Sequence, residues 1–103
     1  MNYVALFFAG GFLCNCIPHL VCGLQGAPFP SPFAKPPGKG DSSPLVNFLW
    51  GFFNLLVGSF LLSRNPVEFG LNSDFITLVI GALVIGIFSS LHFGKVQRDK
   101  AGK

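Results

Sequence analysis

Three long apolar stretches without any Asp, Glu, Lys or Arg constrain this chain more than any other feature. They cover residues 3–24, 45–63 and 75–94. Each has about the 20 residues that a helix needs to cross the hydrocarbon core of a bilayer. The 103-residue chain leaves too few residues elsewhere to cover three such helices with amphipathic partners. The sequence therefore predicts an all-α integral membrane bundle of three transmembrane helices, forming a single membrane domain over residues 1–103.

The charged residues lie outside these stretches and are distributed unevenly. They make up 11% of the chain, whereas soluble domains contain about 25%. With three spans, the first loop (residues 25–44) and the basic tail (residues 95–103) lie on one side. Together they hold all but one of the Lys and Arg residues: Lys35, Lys39, Lys95, Arg98, Lys100 and Lys103. Because cytoplasmic loops collect Lys and Arg, we predict a cytoplasmic C-terminus and an N-terminus outside. The positive charge thus indicates orientation in the lipid bilayer, and no nucleic-acid partner is expected.

The first loop is rich in proline, with five proline residues between Gln25 and Gly40. Proline excludes helix and favours an extended, polyproline-like backbone. Phe29 and Phe33 alternate with the prolines, and aromatic rings beside a membrane commonly lie at the headgroup level. We interpret the loop as a stiff interfacial connection between two helices. A lid or a peptide that docks a partner is the alternative.

Each predicted helix carries one stripe of small or polar residues spaced by three or four positions. The stripe of the second helix consists of Asn47, Gly51, Asn54 and Gly58. The third helix has a small-xxx-small ladder of Ala82, Gly86, Ser90 and Gly94, and the first helix has Gly11, Asn15, His19 and Gly23. Such spacing keeps a stripe on one face, and small residues let membrane helices approach closely. We expect these faces to turn inward and the faces rich in Phe, Leu, Val and Ile to contact lipid. The residues predicted to pack helix against helix are Gly51, Gly58, Ala82, Gly86 and Gly94.

The helical rise of about 1.5 Å per residue places part of these stripes at similar depths. The result is a predicted intramembrane polar cluster of Asn15, His19, Asn47, Asn54 and Ser90. One interpretation is structural, with hydrogen bonds between helices worth about 0.6 kcal/mol each. The other is functional, because an ionisable residue inside a membrane marks a proton, ion or ligand site. Uncharged Asn and Ser dominate the cluster, which favours the structural interpretation.

Cysteine and histidine occur together in the first predicted helix, where Cys16, His19 and Cys22 fall on one side. Thiolate and imidazole can hold copper(I) or zinc, so metal or haem binding is a weaker alternative function. The spacing matches none of the usual metal motifs, and buried cysteine also behaves as a small apolar residue. We therefore expect no metal and no cofactor. The apolar stretches contain no Asp or Glu for acid–base chemistry, and no serine has a plausible catalytic triad, so the sequence predicts no enzyme.

The first half of the chain carries a family resemblance. Asn15-x-x-Pro18-His19 is followed by Phe-Pro-Ser-Pro-Phe-Ala at residues 29–34 and by Ser-Ser-Pro-Leu-Val-Asn-Phe-Leu-Trp-Gly at residues 42–51. This pattern resembles a family of small uncharacterised bacterial multi-span inner-membrane proteins. The resemblance implies a bacterial inner membrane and transfers no catalytic residue. The three cysteines lie outside the pattern.

Two functional hypotheses follow from these patterns. The first is a non-enzymatic membrane protein that works by assembling, either as a homo-oligomer or as a subunit of a larger membrane complex. It rests on the number of close-packing faces in so short a chain. The alternative is a homo-oligomeric transporter or channel for protons or small solutes, in which His19 and the asparagines line a path.

Overall fold

The computed structural model describes residues 2–102 and contains three helices and one short pair of strands. The helices are α1 (Tyr3–Leu24), α2 (Pro44–Arg64) and α3 (Ser73–Ala101). The strands are β1 (Phe29–Pro30) and β2 (Asp41–Ser42). All three helices are long and apolar enough to cross a membrane, as the sequence predicts.

Each helix begins at a side-chain cap. The Asn2 Oδ1 atom accepts from the Ala5 N–H at 3.1 Å, and the Asn72 Oδ1 atom accepts from the Phe75 N–H at 2.8 Å. Ser43 caps α2, and Pro44 is its first residue. These caps satisfy N–H groups that have no partner inside the helix.

The first helix lies between the other two and packs against both. Within residues 2–102, α2 and α3 make no extensive contact with each other, so the helices form a layer in the order α2, α1, α3. Of the most apolar 18 residues of each helix, 28% are buried in α1 and 6% in α3. The third helix therefore presents most of its surface to its surroundings.

Glycine residues permit close contacts of α1 with both of its neighbours. At the crossing of α1 and α3, a Cβ atom on Gly10 would overlap the carbonyl oxygen of Leu78, and one on Gly81 would overlap the carbonyl oxygen of Phe7. Between α1 and α2, a Cβ atom on Gly51 would lie 2.8 Å from the Leu20 nitrogen. The absence of a side chain at these positions permits the close approach of the helix backbones.

The segment between α1 and α2, residues 25–43, is called the strap. The sequence predicts an extended backbone here, but the strap folds back on itself. Phe29 pairs with Ser42 and Pro30 with Asp41 in an antiparallel arrangement, and the Ser31 and Ser42 hydroxyl groups lie 2.6 Å apart. This pairing makes the strap compact, and the strap covers one end of the helix layer.

The third helix is longer than the apolar pattern predicts. It does not end at residue 94 but continues through the basic segment to Ala101. The extension contains an i,i+4 ion pair between Lys95 and Asp99 at 2.9 Å, and Lys100 pairs with Asp41 of the strap at 2.6 Å. Val96 is buried in the same turn. These contacts stabilise the helix in the polar segment after residue 94.

Candidate functional site

A buried polar cluster lies where α1 and α2 meet the strap. The Nδ1 atom of His19 lies 2.7 Å from the Oδ1 atom of Asn47. His19 is 2% exposed and Asn47 is 0% exposed. The rings of Phe29 and Trp50 approach the imidazole with their planes nearly perpendicular to it, at centroid distances of 5.5 and 6.4 Å. One ionisable side chain is therefore enclosed by an amide and two aromatic rings.

The hydrogen bonds of Asn47 determine which nitrogen of His19 carries the proton. The Asn47 Nδ2 atom donates to the carbonyl oxygens of Phe29 at 2.8 Å and of Ser42 and Ser43 at 3.2 Å. This fixes the amide so that its Oδ1 atom faces His19, and an amide oxygen can only accept. Nδ1 of His19 is consequently the donor. In the neutral ring the lone pair then lies on Nε2.

The Nε2 atom of His19 has no hydrogen-bond partner among residues 2–102. In the same part of the chain, no side-chain nitrogen or oxygen is both fully buried and unpartnered. Nε2 therefore keeps a small accessible surface. It is the one polar atom of the cluster that is free to accept a proton or a hydrogen bond from outside.

A second pair of asparagines lies further along the α1–α2 interface. Asn15 donates through Nδ2 to the Oδ1 atom of Asn54 at 3.1 Å, and Asn54 donates to the carbonyl oxygen of Trp50 at 2.7 Å. The buried residues of α2 are Asn47, Gly51, Asn54 and Gly58, the same four that form its stripe. The structure thus brings Asn15, His19, Asn47 and Asn54 to one interface.

Ser90 does not join this cluster, contrary to the sequence-based expectation. It is exposed and lies in a groove on the side of α3 that also contains Cys14 and Gly86. The physical reason is the rotation of α3, which turns Gly81 toward α1 and leaves Ser90 at the edge of the contact. Gly94 is also not a packing residue, because a Cβ atom there would meet only the side chain of Arg98, at 3.6 Å.

The cysteines of α1 do not form a metal centre with His19. Among residues 2–102, no three His, Cys, Asp or Glu side chains are arranged to hold a metal ion. Cys16 is buried, and its Sγ atom donates to the Leu13 carbonyl oxygen at 2.9 Å. Cys22 is half-buried, and His19 uses Nδ1 for Asn47. Of the three side chains that the spacing places on one side of the helix, Cys16 and His19 thus have separate partners.

The sequence reasoning missed the two glycines at the α1–α3 crossing and the strap residues that complete the cluster. Gly10 and Gly81 each lie one position from a predicted stripe residue, Gly11 and Ala82, and one position is about 100° of rotation around a helix. The pairs Gly10-Gly11 and Gly81-Ala82 are the signal that could have found them. The carbonyl contributed by Phe29 has no signal in the sequence.

Chemically, the site is a set of hydrogen bonds that join α1, α2 and the strap, in which the Nε2 atom of His19 and the Oδ1 atom of Asn15 are left open as acceptors. The resemblance to a family of small bacterial inner-membrane proteins stays a prediction. Comparison of the chain with models of protein families, with curated proteins and with solved structures finds no match.

Proposed function

We propose that this chain is a non-enzymatic, three-span membrane protein that works by assembling with further copies of itself through α3. The bacterial inner membrane is the proposed location: the three apolar helices support a membrane protein, and the choice of this membrane rests on the sequence resemblance alone. The proposal rests on one observation: beyond Ala82, which lies at the crossing with α1, the small residues Gly86 and Ser90 of the α3 ladder line an open groove.

Glycine is needed inside the chain at Gly10, Gly81, Gly51 and Gly58, where an added Cβ atom would come within 3.0 Å of a neighbouring helix or overlap it. Gly86 differs, because an added Cβ atom would make only an ordinary contact with the Cys14 Sγ atom at 3.5 Å. The packing of the monomer therefore does not require glycine there. A small residue on an exposed face of a membrane helix suits the close approach of another helix.

The test is the size of the protein in a mild detergent, measured by light scattering for the wild type, Gly86→Leu and Val84→Phe. Val84 is exposed on α3 and lies outside the groove that contains Gly86, so Val84→Phe controls for added bulk. We expect an oligomer for the wild type and Val84→Phe and a smaller species for Gly86→Leu, with equal helix content by circular dichroism. A monomeric wild type, or an unchanged Gly86→Leu oligomer, contradicts assembly through this face. A wild-type protein that co-purifies with a different polypeptide in fixed ratio favours a subunit of a larger complex.

The second candidate, a transporter of protons or small solutes, is favoured by the open Nε2 atom of His19. His19 is 2% exposed, and three helices are too few to enclose an aqueous pore, so this function needs several copies. Proton flux into proteoliposomes is the measurement, with wild type against His19→Phe. Equal proton flux in the two proteins would show that His19 has no role in transport.

A further inference from the structure

A recess separate from the His19 cluster lies at the strap end of the molecule, between the strap and the last turns of α3. Two contacts hold its walls together. The Nε2 atom of His92 lies 2.8 Å from the carbonyl oxygen of Gly38, and Lys100 pairs with Asp41 at 2.6 Å. Pro36 and Gly40 contribute the strap wall of the recess, and Val96 contributes to the helix wall. The recess is formed by contacts within the chain.

The charge that faces the recess is mainly positive. Lys39, Lys95 and Lys100 line it, together with the single carboxylate of Asp99. The pair of Lys95 and Asp99 is exposed, with 71% and 61% of the two side chains accessible, and such pairs are worth little in water. Lys39 has no carboxylate within ion-pair distance among residues 2–102. Lys39 is therefore available for an anion, and Lys95 can bind one by exchanging its weak, exposed pair with Asp99, while Lys100 stays paired with Asp41.

The position of the recess along α3 corresponds to the headgroup level of a bilayer. Its α3 wall begins at His92, at the end of the apolar stretch of the helix, and the ring of the next residue, Phe93, lies 4.8 Å from that of Phe29. Aromatic rings collect at the membrane–water interface. Basic pockets between membrane helices at this level bind the phosphate groups of anionic lipids.

An apolar crevice lies on the membrane side of the recess, between α1 and α3. Ile17 and Pro18 of α1 and Ser89 and Phe93 of α3 line it. Ser89, Phe93, Val96 and Lys100 follow each other at helical spacing, so one face of α3 leads from the crevice to the recess. A phospholipid could use both places, with its phosphate in the recess and part of an acyl chain in the crevice. A free phosphate ion would use only the recess.

We propose that the recess binds a phosphate-ester anion, and that its source is an anionic phospholipid of the surrounding membrane. The phosphate oxygens accept from the ammonium groups of Lys39 and Lys95, which approach from the strap and from α3. Binding therefore holds the strap against α3.

The experiment is a titration of the purified protein in a mild detergent with phosphatidylglycerol, followed by native mass spectrometry. The double variant Lys39→Gln/Lys95→Gln removes the two proposed ligands. The matched control, Lys35→Gln/Arg98→Gln, also removes one positive charge from the strap and one from α3, at exposed positions outside the recess. We expect the first variant to bind phosphatidylglycerol at least about tenfold more weakly than wild type and the control to stay close to wild type. Equal losses in the two variants would overturn the proposal, because they would indicate attraction by net charge alone.

Two further measurements, with phosphatidylcholine and with inorganic phosphate, identify the source of the phosphate. Phosphatidylcholine carries no net charge, and we expect weaker binding of this lipid to the wild type. Inorganic phosphate tests for a soluble ligand, and we expect it to raise the thermal unfolding midpoint less than phosphatidylglycerol does. Equal binding of the two lipids overturns an anionic headgroup as the ligand, and equal stabilisation by inorganic phosphate overturns the lipid as its source.

Discussion

At the scale of single residues, Asn47 connects more of the molecule than any other polar side chain described. Its Oδ1 atom accepts from His19 of α1. Its Nδ2 atom donates to three carbonyl oxygens of the strap, the last of which belongs to Ser43, the N-cap of α2. It is 0% exposed. Because buried polar groups are costly when they lose their partners, the position of the strap depends on this one amide.

Replacing Asn47 by Leu removes the bond to His19 and the two N–H groups that are shared among three carbonyl oxygens, whereas Asn15→Leu removes only the bond to Asn54. At about 0.6 kcal/mol for each bond, we expect Asn47→Leu to lower the free energy of unfolding by about 2 kcal/mol and Asn15→Leu by about 0.6 kcal/mol. Unfolding by sodium dodecyl sulfate in mixed micelles, followed by circular dichroism, measures both values. Equal losses of unfolding free energy in the two variants would show that the hydrogen bonds from Asn47 to the strap do not contribute to stability.

At the scale of elements, the contact between α1 and α3 depends on two glycines and tolerates no side chain there. Gly10 and its neighbour Gly11 provide a matched pair of substitutions. A methyl group on Gly10 overlaps the Leu78 carbonyl, whereas one on Gly11 lies 3.9 Å from the nearest atom, the Gly81 carbonyl oxygen.

We therefore expect opposite effects of alanine at these adjacent positions. Gly10→Ala should destabilise the protein by about 1–3 kcal/mol, because α3 must move away. Gly11→Ala should leave stability unchanged or raise it by up to about 1 kcal/mol, because alanine favours helix more than glycine does. The thermal unfolding midpoint in detergent compares the two variants. Similar midpoints would argue against close packing of α1 and α3 at this crossing.

The elements also show what the sequence can and cannot predict. The three helices follow from hydrophobicity, and the buried face of α2 follows from the spacing of Asn47, Gly51, Asn54 and Gly58. The face that α3 turns toward α1 does not follow, because a small residue such as Gly86 suits contact with the same chain or with another one. The folded strap and the extension of α3 depend on contacts between distant residues, such as Lys100 with Asp41, which no local pattern contains.

At the scale of the whole molecule, the distribution of charge predicts the orientation in the membrane. The strap and the end of α3 lie at one end of the layer, as the contact of His92 with Gly38 shows, and they carry five of the seven Lys and Arg residues. We expect this end to be cytoplasmic. The loop between α2 and α3 then faces the outside.

Labelling of single cysteines in intact bacteria tests this orientation. In a variant without the three native cysteines, Glu68→Cys lies in the loop between α2 and α3, and Gln97→Cys lies in the last turns of α3; both positions are exposed. A maleimide that does not cross the inner membrane should label Glu68→Cys in intact cells and Gln97→Cys only after lysis. The reverse pattern would invert the orientation.

The central place of α1 has a consequence for how the protein is made. The helix that touches both others is also the first of the three to leave the ribosome, and its partners come later: Asn47 is 28 residues after His19, and Asn54 is 39 residues after Asn15. During synthesis, α1 enters the bilayer with Asn15 and His19 not yet paired. Insertion of α1 into a membrane must then depend on its apolar Phe and Leu residues, until α2 brings Asn47 and Asn54 to its polar face.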